Sequence, residues 1–281
     1  MKLLAAGADA NGTAPLSGNT PALIACQRGH LGLLRFLADE GAALDHKMKG
    51  GFSCIYLAAQ YGNLPLCRFL CARGVAVQEP KDNGATPFYV AAANGHLEVV
   101  EYLAGRGADL EAQKVSVCAG LVAVGVGWRE GARRVLSSPL TPPSSPKLDG
   151  ATPLYVASQE GHDHVVRFLL AAGVHPNVAM AEFTPFFVAC YEGQRDCVSE
   201  FLRWEGVDLN APDDGGASPF FAACAEGHFD IVERLLRVRG VDHAASNDVG
   251  ATPIDAARAA GHGDVVYLLE DAAGRRECVV S

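Results

Sequence analysis

Residues 150–162 read GATPLYVASQEGH. The string holds a Thr-Pro pair, an aromatic residue, two small residues and a Gly-His pair, so it reads either as part of a reactive site or as a structural unit. Its recurrence decides. Related strings stand at 19–30 (NTPALIACQRGH), 52–63 (FSCIYLAAQYGN), 85–96 (ATPFYVAAANGH), 183–194 (FTPFFVACYEGQ), 217–228 (ASPFFAACAEGH) and 251–262 (ATPIDAARAAGH). The Thr or Ser of each falls at 20, 53, 86, 152, 184, 218 and 252, in steps of 33, 33, 66, 32, 34 and 34.

Each part of the string has a physical job. The hydroxyl of Thr152 suits a helix N-cap, and Pro153 suits the first helical turn, where its missing N–H costs nothing. Ala157 and Ser158 let a neighbouring helix approach closely, and Gly161 supplies the left-handed residue that ends the helix. The following HDHVVRFLLAAG (162–173) places Val165, Val166, Leu169 and Leu170 on one face at helical spacing. A unit is therefore a short helix, a turn, a longer antiparallel helix and a loop. One such pair cannot bury its apolar stripe alone, so stability must come from stacking units side by side.

A period near 33 with this Thr-Pro start resembles the ankyrin repeat family. The resemblance covers nearly all of the chain outside 115–147. It implies an all-α solenoid of stacked helix-turn-helix units joined by β-turn loops, with seven helical pairs after a leading half-repeat in a curved array. It also implies a non-enzymatic protein–protein interaction scaffold or adaptor that binds its partner on the concave surface. One departure is consistent: the His of the family's T-P-L-H is replaced by Leu23, Tyr56, Tyr89, Tyr155, Phe187, Phe221 and Asp255. Aromatic stacking between neighbouring repeats is expected to offset the lost Thr–His bond.

Histidine is the one residue of the string that looks catalytic. Five of the nine histidines (His30, His96, His162, His228 and His262) follow the turn glycine, once per repeat, and Asn63 and Gln194 replace it in two others. A residue placed by a structural period, and exchangeable for an amide, has a structural role in hydrogen bonding. Cysteines follow the same frame: Cys26, Cys190 and Cys224 take a small-residue position, while Cys67, Cys71 and Cys197 fall on second helices. They read as small buried hydrophobes rather than metal ligands, and no cofactor or metal is expected. No GxSxG, no HExxH and no Cys-His pair outside the repeat frame is present, which argues against catalysis. The alternative is a substrate-targeting or regulatory fragment of a longer enzyme or channel.

A net charge of −9 and the absence of a clustered basic excess argue against nucleic acid or an anionic membrane as the main target. The N-terminus lacks the apolar stretch of a secretory signal, and no run of about 18 apolar residues exists. The nine cysteines are odd in number and form no CxxC pairs, which points to a reducing compartment, the cytoplasm with the nucleus as second choice. A monomer is expected.

The frame divides the chain into repeats at 1–114 (a leading half-repeat plus three), a break at 115–147, and four repeats at 148–281, the last a C-terminal cap. The cap reading rests on Asp255, Arg258 and Glu270, polar residues where other repeats are apolar or small. KLLAAGADAN resembles the end of a second helix, so the chain begins inside a repeat, as a fragment or with a ragged edge. Three readings compete for 115–147. It is a decayed repeat, or a Ser/Pro-rich regulatory linker with proline-directed sites at Ser138, Thr141 and Ser145, or a retained intron. The register favours the third: removing its 33 residues leaves a step of 33 and joins EAQK to LDGATPLY without a gap.

For the binding face, the two residues before each turn glycine are expected to be the exposed end of the first helix. They place Glu160, Glu192 and Glu226 in one column beside Tyr191, with Tyr61 and Asn94 at matching positions and Phe52 and Phe183 at loop tips. Such a column suits another protein that offers a basic surface or peptide, with the aromatic residues as anchors.

Overall fold

The computed structural model describes residues 9–113 and 150–280, with side chains to 274. The readings of 115–147 lie outside the described residues. Fourteen helices form seven pairs and, among the described residues, no strand: α1 (Pro21–Gln27) with α2 (Leu31–Asp39), α3 (Cys54–Gln60) with α4 (Leu64–Ala72), α5 (Pro87–Ala93) with α6 (Leu97–Ala104), α7 (Pro153–Gln159) with α8 (Asp163–Ala171), α9 (Pro185–Tyr191) with α10 (Arg195–Phe201), α11 (Pro219–Ala225) with α12 (Phe229–Leu235), and α13 (Pro253–Ala260) with α14 (Gly263–Val280). The chain divides into two compact units whose boundary falls inside α7, between Ala157 and Ser158. In the first unit α1 packs on α3 and α3 on α5; in the second α9 packs on α11 and α11 on α13.

The caps form as the Thr-Pro pairs predict. Backbone N–H groups of Leu23, Tyr56, Tyr89, Tyr155, Phe187 and Phe221 donate to the hydroxyls of Thr20, Ser53, Thr86, Thr152, Thr184 and Ser218 at 3.1–3.3 Å. All six hydroxyl residues are buried, so each bond is shielded from water. Thr86→Val keeps the shape but removes the acceptor for Tyr89, and is expected to lower stability by about 1 kcal/mol in urea unfolding. An unchanged midpoint would show that Thr86 does not cap α5.

The core runs along the facing stripes. Val165, Val166, Leu169 and Leu170 of α8 are buried as their spacing predicts, and the small residues Ala25, Ala58, Ala91, Ala157, Ala189 and Ala223 are wholly enclosed. At the position of the missing His, Tyr56, Tyr155, Phe187 and Phe221 are buried, while Tyr89 is half-buried. The ring pairs formed there differ from expectation. Tyr56 meets Phe52 edge-on at 5.5 Å and Phe187 meets Phe183 at 5.0 Å, both within one repeat. Phe221 packs instead with Ala256 of the following repeat.

Repeats are joined by two polar ladders. At the turns, His96 Nε2 donates to the Gln60 carbonyl at 3.0 Å, His228 to Tyr191 at 2.8 Å and His262 to Ala225 at 3.1 Å; Gln194 donates its amide to Gln159 at 2.8 Å. The histidines and their amide replacement thus do the same structural work, reaching back to the preceding repeat. Asn63 instead caps its own helix, accepting from Leu66 at 3.1 Å. At the loops a second ladder runs forward: Asn177 donates to the Gly206 carbonyl at 2.7 Å and accepts from Asp208 N–H at 2.9 Å, and Asn210 does the same with Gly240 and Asp242 at 2.6 and 2.8 Å. Asn11 repeats the pattern with Gly41 and Ala43.

The loops before the first helices turn through a left-handed residue, glycine at Gly51, Gly84, Gly216 and Gly250. In the repeat one residue shorter, the Met180 to Phe183 bridge closes over Ala181 and Glu182 at φ 46° and 76°, a conformation that L side chains adopt at a cost.

The last repeat carries the polar residues singled out as a cap. Asp255 forms a reciprocal capping box with Thr252, which holds its carboxyl below the usual range, and Arg258 bridges Asp255 at 3.6 Å and Glu270 at 3.1 Å. These three side chains are each more than half exposed and satisfy one another.

Candidate functional site

The candidate residues lie where first helices end, and the structure separates them by exposure. Tyr61, Asn94, Glu160 and Glu192 are exposed, whereas Glu226 and Tyr191 are half-buried. In four repeats the second residue of the pair is exposed and the first half-buried. The carbonyl of the first, as in Gln60, Gln159 and Tyr191, accepts the bond from the next repeat.

In the second unit Tyr191 sits between acids. Burial first, then the charges of Glu226 and Glu192, push its phenol up to about 12. Glu192 follows Tyr191 directly at the end of α9, and Glu226 follows the end of α11 in the next repeat. Glu160 occupies the corresponding position at the end of α7, one repeat earlier, on the order of 10 Å away by helix packing. The surroundings reinforce the sign: residues 158–274 contain 19 Asp and Glu against 7 Arg and no Lys. Residues 9–113 are nearly balanced, with 10 acids and 8 Lys or Arg.

Phe52 and Phe183 are half-buried rather than free at the loop tips. Phe52 lies on Tyr56 and beneath the ammonium of Lys81, 4.0 Å from its ring centroid, and Phe183 lies on Phe187. Their rings are already engaged in packing the loops. Tyr61, 53% exposed, is the aromatic side chain of this face with the largest free surface.

Among the described residues no group of three His, Cys, Asp or Glu is placed to hold a metal ion. Seven described cysteines are free, six of them buried. Burial pushes the Cys67 and Cys197 thiols up to about 12, away from nucleophilic thiolate. Among the described residues, no helix is long and apolar enough to cross a membrane.

Sequence reasoning missed the asparagine ladder and the outer face of the first unit. There Arg35 and Arg73 lie over Phe69 at 5.8 and 5.1 Å, and Arg68 and Arg106 over Tyr102 at 5.8 and 5.6 Å. The signal is present in the sequence as Arg-Phe, Arg-Phe and Tyr at equivalent places on three second helices (Arg35-Phe36, Arg68-Phe69 and Tyr102).

No curated protein matches the chain. Among solved structures it is similar to the human ASB11 ankyrin repeat domain, with a TM-score of 0.69 and 21% identity over 89% of this chain and 97% of that one. At that identity the likeness concerns the fold. A model of ankyrin repeats in three copies matches residues 1–79, 42–114, 126–213 and 186–276. Together with the seven helix pairs, this makes the chain a member of the ankyrin repeat family.

Proposed function

We propose that this chain is an interaction module whose second unit receives a basic surface or peptide of another protein. Ankyrin repeats are in general protein–protein interaction modules, and the observation that carries the finer reading is the recurrence of Glu160, Glu192 and Glu226 at the ends of three successive first helices, with Tyr191 next to Glu192 in the chain. Carboxylates stationed on the rigid ends of successive helices attract a cationic partner at long range and fix its register on contact. Tyr191, half-buried and amphipathic, offers the apolar contact between them. The reading includes a monomer acting in the cytoplasm, supported by the free, buried cysteines.

The test is Glu160→Gln, Glu192→Gln and Glu226→Gln combined. Against a fluorescein-labelled Lys/Arg-rich peptide, the parent chain is expected to associate quickly and with steep salt dependence. The triple variant should lose about tenfold in association rate at low salt, since surface charges act mainly on encounter. Equal rates and equal salt slopes for the two proteins would reduce the column to a solvated surface.

A further inference from the structure

The second helices of the first unit carry a groove that the acidic column does not explain. It lies between α2 and α4, has a volume of about 390 Å³, and is lined by Leu31, Leu64, Pro65 and Phe69, with Arg35 and Arg68 among its walls. Both arginines are exposed. Among the described residues, their guanidinium groups are held over aromatic rings, Arg35 on Phe69 and Arg68 on Tyr102, rather than in ion pairs. Of the other cations of this face, Arg73 is already bound to Asp39 at 2.6 Å, and Arg106 shares the Tyr102 ring with Arg68.

We propose that this groove docks an acidic peptide segment of a partner protein, with an aliphatic side chain between Leu31, Leu64 and Phe69 and carboxylates on Arg35 and Arg68. Charge complementarity selects this occupant. A guanidinium lying over a ring face still has N–H groups to offer, and its planar fork matches a carboxylate in a bidentate manner. The cation–ring contact also restricts the long side chain beforehand, so less freedom is lost on binding. The adjoining helix ends agree: α2 and α4 have no acidic residue in their first turns, whereas α6, α8, α10, α12 and α14 carry Glu98, Asp163, Asp196, Asp230 and Asp264 there. The positive ends of α2 and α4 are left unneutralised beside the groove. Its lining combines apolar side chains with two cations, which suits a chain of alternating leucine and glutamate.

The probe is a fluorescein-labelled synthetic peptide of glutamate and leucine, titrated against the full chain by anisotropy. Saturable binding that weakens with salt is expected, together with slowed hydrogen exchange in 31–39 and 64–72. Arg35→Gln with Arg68→Gln, both exposed, should weaken binding about tenfold or more while leaving the thermal midpoint in place. Leu64→Ser should weaken it with little change in salt slope. The triple glutamine variant of the acidic column should bind this probe at least as well as the parent, so the two surfaces stand or fall separately. Absence of binding, protection elsewhere on the chain, or equal affinity of the Arg35/Arg68 double variant would overturn the proposal. Self-association seen in sedimentation and lost in that double variant would overturn it too, by making a second copy the occupant.

Discussion

Phe201→Ala is expected to lower the unfolding free energy by about 3–5 kcal/mol, the range for emptying a large aromatic site in a close-packed core. Phe201 is wholly buried at the end of α10 and meets Phe186 of α9 edge-on at 5.9 Å. This ring pair is part of the contact between the two helices of the repeat, alongside buried Cys197 and Val198. Truncation removes both the buried area and the favourable ring geometry, and the surrounding helices, pinned by the ladders on either side, cannot collapse into the gap. Trp204→Ala, three residues on and 38% exposed, should cost much less. Urea unfolding of the three proteins measures the difference; a loss below about 1 kcal/mol for Phe201→Ala would mean that the repeat relaxes freely.

Gly193→Val should have an effect of comparable size for a different reason. Gly193 has φ +75°, which costs an L residue about 1–2 kcal/mol. A Cβ there would also stand 2.5 Å from Cε1 of His228, the ring that donates to Tyr191. Relief requires moving the imidazole and breaking its bond, adding about 1–3 kcal/mol for overpacking. Gly173→Ala separates the two contributions: its φ is +83° but nothing lies within 4 Å of the added carbon. It should show the backbone cost alone. If Gly193→Val is no worse than Gly173→Ala in denaturant unfolding, the turn does not depend on the inter-repeat contact.

How far such results follow from sequence varies with the kind of partner involved. The capping hydroxyls, the turn glycines and the apolar stripes act within a few residues, so their spacing reveals them. The histidines betrayed their role by periodicity, although not their acceptor, which lies 36 or 37 positions earlier. The steps of 32 and 34 announced changes of length without locating them. The structure puts the shortening in the loop closed by Met180 and Phe183, and the lengthening at the ends of α10 and α12, which stop at Phe201 and Leu235, seven residues each, against nine in α8. Of the candidate site, Glu160, Glu192 and Tyr191 were legible as helix ends. The engagement of Phe52 by Lys81 was not, because it depends on how one loop folds over the next.

The two ladders have a property that bears on how such a chain can change over time. One clasp points backward, from His228 to the carbonyl of Tyr191, and the other forward, from Asn177 to the backbone of Gly206 and Asp208. In every case the receiving group belongs to the main chain. A neighbour therefore satisfies the clasp whatever side chains it displays, provided its turn keeps a residue without a Cβ. Substitutions on the exposed helix ends can accumulate in one repeat without demanding a matching change in the next. Specificity can thus be rewritten one repeat at a time while the joints stay the same.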